Sequence, residues 1–138
     1  MAARHYPMDR SASILLWAGR LIAGAWAVIF LLSLTGEVAS GYTPGGSTAL
    51  SVLYFAEGGL VLAGVALSFW RAWVGGVTLI AVWAASCLLL LLGLEPEADV
   101  PMGLVISTLT ELLPGLLLVA ASLIADGRMR AGRGAEAG

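Results

Sequence analysis

Apolar residues in this chain of 138 residues fall into four long runs, which are separated by short polar or glycine- and proline-rich segments. The runs cover residues 14–34, 50–70, 73–94 and 103–125. A helix needs about 20 residues to cross roughly 30 Å of hydrocarbon, because it rises about 1.5 Å per residue. Each run reaches that length, so the pattern predicts four transmembrane helices.

The segments between the runs predict how the helices are connected. Segment 35–49 is rich in glycine, and segment 95–101 is acidic and bounded by prolines, both of which are typical of loops. Only Arg71 and Ala72 separate the second and third runs, which predicts a tight hairpin. We therefore predict an all-α fold, a four-helix transmembrane antiparallel bundle formed by residues 14–125.

Arginine is distributed unevenly about these runs, and the chain contains no lysine. The two longer connections contain no arginine, whereas the terminal segments and the hairpin contain Arg4, Arg10, Arg71, Arg128, Arg130 and Arg133. Basic residues favour the cytoplasmic side of a membrane. We therefore expect a multi-pass protein of the cell (plasma) membrane with both termini cytoplasmic. Residues 1–13 are then a cytoplasmic N-terminal segment, and residues 126–138 a disordered cytoplasmic tail.

Composition and charge exclude several classes of function. Apolar residues make up 59% of the chain and charged residues 12%, which favours a membrane protein over a soluble domain. The net charge of −2 gives no basis for a nucleic-acid partner. Cys87 is the only cysteine and His5 the only histidine, so thiol-pair chemistry, a Cys/His metal site and a bis-histidine haem are excluded. We expect no cofactor, no metal and no enzymatic activity, since no nucleophile–base pair is recognisable.

Three residues of the charged types lie inside the runs and are the candidates for a site. Glu57 and Glu111 lie at matching depths, roughly 10–12 Å from the end that carries the longer connections, and Arg20 lies nearer the opposite end. An ionised arginine or aspartate at the centre of a span costs about 2.5–3.5 kcal/mol. Such side chains normally face the interior of the bundle and have a partner there.

The first interpretation of these residues is structural. Arg20 pairs with Glu57 or Glu111, and the remaining acid is protonated or hydrogen-bonded to a nearby hydroxyl group. On this interpretation the chain is a non-enzymatic membrane subunit or accessory protein. Its partners are the lipid bilayer and either a second copy, forming a homodimer, or another membrane protein.

The second interpretation is functional. Glu57 and Glu111 line a polar cavity that takes up protons or a cation, and the chain is a small proton- or cation-coupled carrier that works as a dimer. Pro114 favours this interpretation, because it cannot donate to the carbonyl of Thr110 and so leaves an acceptor free beside Glu111. Ser107 adds a polar position one turn before Glu111 on the same helix face.

Two segments raise the hypothesis of an internal repeat. The sequence EGGLVLAGVALS (57–68) aligns with ELLPGLLLVAAS (111–122), with Glu, Leu, Val, Ala and Ser in register. The bundle would then be a tandem repeat of two helical hairpins, related by a pseudo-twofold axis along the membrane normal.

The order of five features resembles a known group of proteins. These are Arg20 in the first run, Gly36-Glu37 after it, Trp70-Arg71 at the hairpin, Gly75-Gly76 in the third run and Pro114-Gly115 in the fourth. The layout resembles small prokaryotic four-span membrane proteins of unknown function that are DoxX-like. In that group the second span often carries a His-x-x-Pro element, whereas this chain has a glutamate and no proline there. The resemblance implies a fold and a membrane location, but no activity.

Overall fold

The computed structural model describes residues 10–44, 47–93 and 99–137. Its helices are α1 (Arg10–Ala39), α2 (Thr48–Trp70), α3 (Ala72–Leu91), α4 (Val100–Ser107) and α5 (Leu113–Ala137). A π-helical turn, Thr108–Leu112, joins α4 to α5 without a break. The described residues contain no β-strand. The predicted all-α four-helix bundle is confirmed, with α4, the π turn and α5 together forming the fourth helix.

Each of the four predicted spans corresponds to a helix that is long and apolar enough to cross a membrane, although α3 ends at Leu91, before the end of the predicted run 73–94. The first helix is longer than predicted, because Gly36 does not interrupt it and the turn comes only at Gly41, whose φ is +85°. At that turn the N–H of Tyr42 donates to the carbonyl of Glu37. The beginning of the predicted loop 35–49 is therefore helical.

Side-chain caps define where the second and fourth helices begin. The hydroxyl of Ser47 accepts a hydrogen bond from the N–H of Leu50 at 3.1 Å. The carboxylate of Asp99 accepts one from the N–H of Met102 at 3.4 Å. Both contacts satisfy N–H groups that have no partner within the helix. Between α2 and α3, the single extended residue Arg71 forms the predicted hairpin.

The helices pack as a closed ring in which each contacts its neighbours in the chain. α1 packs against α2 and α5, and α3 packs against α2 and the fourth helix. Glycines allow the closest approaches: a Cβ on Gly75 would overlap the carbonyl oxygen of Gly64, and one on Gly76 would lie 2.7 Å from that of Gly115. Transmembrane helices associate through such close packing, because lipid tails are as apolar as leucine.

The last helix continues further than the sequence pattern indicates. α5 extends to Ala137, through the segment predicted to be a disordered tail. Alanine, arginine and methionine are good helix formers, and adding residues to an existing helix avoids the cost of nucleating a new one. The apolar run therefore ends at residue 125, but the helix continues beyond it.

Candidate functional site

Arg20 contacts neither of the two glutamates that the sequence offers as partners. Its Nε donates to the hydroxyl of Ser68 at 3.0 Å, and its Nη2 donates to the carbonyl of the same residue at 2.9 Å. Ser68 lies three turns, about 16 Å, beyond Glu57 on α2. The predicted Arg20–Glu57 or Arg20–Glu111 ion pair is therefore wrong, because the arginine side chain extends towards the hairpin end of the bundle.

Two aromatic rings complete the surroundings of Arg20. Its guanidinium carbon lies 4.0 Å from the ring centroid of Phe69 and 4.9 Å from that of Trp17. At such distances a cation is attracted by the face of the ring. Arg20 thus has polar and aromatic partners near the end of the helix, where a long side chain can approach the lipid headgroups.

The two intramembrane glutamates converge on one serine of α3. Glu57 is half-buried, and its Oε1 accepts a hydrogen bond from the hydroxyl of Ser86 at 2.7 Å. The carboxyl group of Glu111 lies beside Glu57 and Ser86. Helices α2, α3 and the π turn each contribute one residue to this group. We call Glu57, Ser86 and Glu111 the carboxyl cluster.

Glu111 is the most unusual member of the carboxyl cluster. Its side chain is 0% exposed, and neither carboxyl oxygen has a hydrogen-bond partner among the described residues. Leaving a buried polar group without a hydrogen bond costs roughly 1–3 kcal/mol, and more if the group is charged. Because Arg20 lies three turns away, it does not offset this cost.

A π turn places Glu111 in this position. The N–H of Leu113 donates to the carbonyl of Thr108, five residues earlier, instead of four as in an α-helix. Pro114 follows directly and is fully buried. A proline ring has no N–H and clashes with the carbonyl four residues before it, here that of Thr110, so the wider turn relieves the clash. Single π turns in α-helices are frequent at functional sites.

A hydrogen bond between helices holds the π turn against α3. The indole N–H of Trp83 donates to the hydroxyl of Thr108 at 3.3 Å, and that hydroxyl donates to the carbonyl of Leu104. The hydroxyl of Thr110 donates to the carbonyl of Ile106 and so stays within its own helix. Of these two threonines, Thr108 is therefore the one that positions the turn.

A cavity of about 280 Å³ opens beside the carboxyl cluster, at the end of the bundle that carries the longer connections. We call it the loop-end cavity. Its polar side chains are Glu57, Ser86, Ser107 and Asp99. The rest of its lining is aromatic or apolar, apart from one glycine, and comprises Trp26, Phe30, Tyr54, Leu90, Met102, Gly103 and Ile106. Of the predicted site residues, Glu57 and Ser107 line the cavity, and Glu111 lies behind Glu57.

Several residues of this site are not singled out by the sequence. Ser86 interrupts a run of alanine and leucine, and this polar interruption is the signal that identifies it in retrospect. The aromatic residues around the cavity give no such signal, because aromatic side chains in transmembrane helices commonly pack against neighbouring helices.

Comparison of the chain with protein-family models, with curated proteins and with solved structures finds no match. The predicted resemblance to DoxX-like prokaryotic proteins accordingly stays a prediction. The four apolar helices indicate a membrane protein, and the geometry of the carboxyl cluster is the basis for any more specific statement.

Proposed function

We propose that this protein is a small proton- or cation-coupled carrier in which Glu57 and Glu111 form the proton-holding pair. The observation that carries the proposal is the Glu111 carboxyl group, which is fully buried, has no hydrogen-bond partner among the described residues and lies beside a second acid that lines an open cavity. Two adjacent carboxylates in apolar surroundings repel each other, so we infer that the pair holds at least one proton.

The geometry also weakens the argument for a purely structural role of these acids. In the non-enzymatic subunit or accessory protein expected from the sequence, Arg20 pairs with a glutamate, and these residues stabilise the packing of the helices. Arg20 bonds to Ser68 instead. A buried acid without a cationic partner is expected to reduce stability, so its presence is better explained by a role in function.

The proposal includes a membrane location and an assembly. We propose the plasma membrane, with both termini cytoplasmic, because the longer connections contain no arginine. On this orientation the loop-end cavity opens to the outside. We also propose that the protein works as a homodimer within the lipid bilayer, since four spans leave little room for a complete pathway in one chain. The proposal includes no enzymatic reaction.

Infrared titration of the full-length protein in lipid nanodiscs tests the shared proton. The wild type should show a protonated carboxyl C=O band at neutral pH, which Glu111→Gln removes and Glu57→Gln shifts or removes. Glu37→Gln is the matched control, because Glu37 is exposed on α1 and should not contribute to this band. A band that is absent from the wild type, or unaffected by both substitutions in the cluster, contradicts the proposal.

Thermal unfolding of the same variants separates structural from functional acids. We expect Glu111→Gln to unfold at the same temperature as the wild type or higher, because a neutral amide can donate to Glu57 or Ser86 without burying a charge. If Glu57→Gln and Glu111→Gln both lower the midpoint markedly while Glu37→Gln does not, the acids hold the bundle together, and the structural interpretation is the correct one.

A further inference from the structure

The loop-end cavity has the size of a small-molecule site. Its volume of about 280 Å³ lies close to the lower limit of about 300 Å³ for ligand cavities, so it suits a compact ligand. All four helices of the bundle contribute to its lining. A ligand in this cavity would contact Glu57 directly, and only Glu57 and Ser86 would separate it from Glu111.

Aromatic rings form one side of the cavity. Trp26 and Phe30, one turn apart on α1, are stacked with their centroids 4.7 Å apart. The ring of Tyr54 on α2 meets that of Phe30 edge to face at 6.3 Å. These contacts hold the three rings in a fixed arrangement, which gives the cavity a preformed aromatic surface.

The charged side chains that line the cavity are both acidic. Glu57 lies at its inner end and Asp99 is exposed at the start of α4. No arginine is among the lining residues, all of which the structure describes. An aromatic surface next to carboxylates attracts cations, because the ring quadrupole gives the face of an aromatic ring a negative electrostatic potential and the carboxylate carries a negative charge. The apolar remainder of the lining favours a cation that carries hydrocarbon groups.

We propose that the loop-end cavity binds a small organic cation, a protonated or quaternary amine with apolar substituents. The ammonium group lies between Glu57 and the aromatic rings, and the hydrocarbon part contacts the apolar side of the cavity.

A second step couples binding of the cation to release of a proton, and this step rests on the proposed proton-holding pair. Binding of the cation displaces a proton from the carboxyl cluster to solvent, so cation and proton compete. Among the residues that the structure describes, the other titratable groups near the pair are Tyr54 on α2, Cys87 on α3 and Asp99 at the start of α4. From α1, the residues that line the cavity are Trp26 and Phe30, which do not titrate.

Calorimetric titration with benzyltrimethylammonium, on the full-length protein in nanodiscs, tests the proposal. Benzyl alcohol and benzenesulfonate serve as neutral and anionic ligands with the same ring. We expect the quaternary amine to bind at least about tenfold more tightly than either, as a charge-assisted contact requires. Repeating the titration in buffers of different ionisation enthalpy should show release of about one proton per bound cation, with weaker binding as the pH falls.

Variants identify the groups that hold the cation. Glu57→Gln should weaken binding by about tenfold or more, and Glu57→Asp should restore most of it. Trp26→Leu should weaken binding by roughly three- to tenfold through loss of the cation–π contact. Trp73→Leu is the matched control, because Trp73 is exposed near the opposite end of the bundle. An intact unfolding transition in each variant shows that a loss of binding is not a loss of fold.

The possible results distinguish this inference from the proposed function. If benzyltrimethylammonium binds no better than benzyl alcohol, or equally well to wild type and Glu57→Gln, the organic-cation site is wrong, while the infrared band still decides the proton pair. If the cation binds at the predicted residues without releasing a proton, the site stands and the exchange step is overturned. Full competition by equimolar Na⁺ would show that the site selects charge alone, which also overturns the organic-cation assignment.

Discussion

At the residue scale, Arg20 and Glu111 differ in how their polar groups are accommodated inside the membrane. Arg20 has a long side chain that reaches Ser68 and two aromatic rings near the hairpin end of the bundle. The glutamate side chain is shorter, and Glu111 lies too deep to reach the end of the bundle. A structural explanation therefore suffices for Arg20, whereas we propose a functional one for the glutamate pair.

Ser68→Ala tests the contact that replaces the expected ion pair. The substitution removes the acceptor of the Arg20 Nε hydrogen bond and leaves the one to the backbone carbonyl. We expect the free energy of unfolding in mild detergent to fall by about 1 kcal/mol, since hydrogen bonds to charged groups contribute roughly 1.5–3 kcal/mol and the arginine keeps its other partners. Thr35→Ala is the control, because the hydroxyl of Thr35 is exposed and donates only within α1. Equal stability of the two variants would indicate that Arg20 is satisfied by lipid or solvent instead.

The partners of Arg20 show what the sequence can and cannot determine. Depth along a helix follows from counting residues, so the matching depths of Glu57 and Glu111 are predictable. The direction in which each side chain points depends on how each helix is rotated about its axis. That rotation follows from close packing of many small residues, which no short motif records. Ser86, which both glutamates approach, is for that reason recognisable only in the structure.

At the scale of the helices, the sequence predicts the number and position of the spans well, and the helix ends and irregular geometry poorly. Run length alone determines the four spans, because the thickness of the bilayer imposes it. The π turn has a sequence signal in Pro114, but a proline also allows a kink or a helix end. The contacts between the fourth helix and α3 decide which of these structures is adopted, and they include the hydrogen bond from Trp83 to Thr108.

Gly75→Ala tests the close contact between α2 and α3. A Cβ at this position would overlap the carbonyl oxygen of Gly64 and crowd the backbone of Ser68. We expect a loss of about 1–3 kcal/mol in the free energy of unfolding, because the two helices must move apart. Gly59→Ala on α2 is the matched control, since a Cβ there meets no atom within 4 Å, and its stability should be unchanged or slightly higher. If both variants are equally stable, the two helices do not pack closely at this point.

At the scale of the whole molecule, the two glutamates occupy equivalent positions of the proposed repeat. The residue three positions before each of them contacts an aromatic side chain of the preceding helix: Tyr54 contacts Phe30, and Thr108 contacts Trp83. This correspondence supports the repeat hypothesis, which stays a prediction. A pseudo-twofold axis between the hairpins would relate the second helix to the fourth, and would explain why Glu57 and Glu111 meet in one place, beside Ser86 of α3.

The orientation of the bundle in the membrane decides which compartment the loop-end cavity faces. Arginine asymmetry predicts that the cavity opens outside, and thiol labelling of intact cells tests this. In a Cys87→Ala background, a membrane-impermeant maleimide should label Tyr42→Cys, which lies in the first connection. It should label Gly127→Cys, at the opposite end, only after the membrane is permeabilised. The reverse pattern would place the cavity on the cytoplasmic side, so the ligand of Glu57 would be drawn from inside the cell, and the charge bias would not determine the topology.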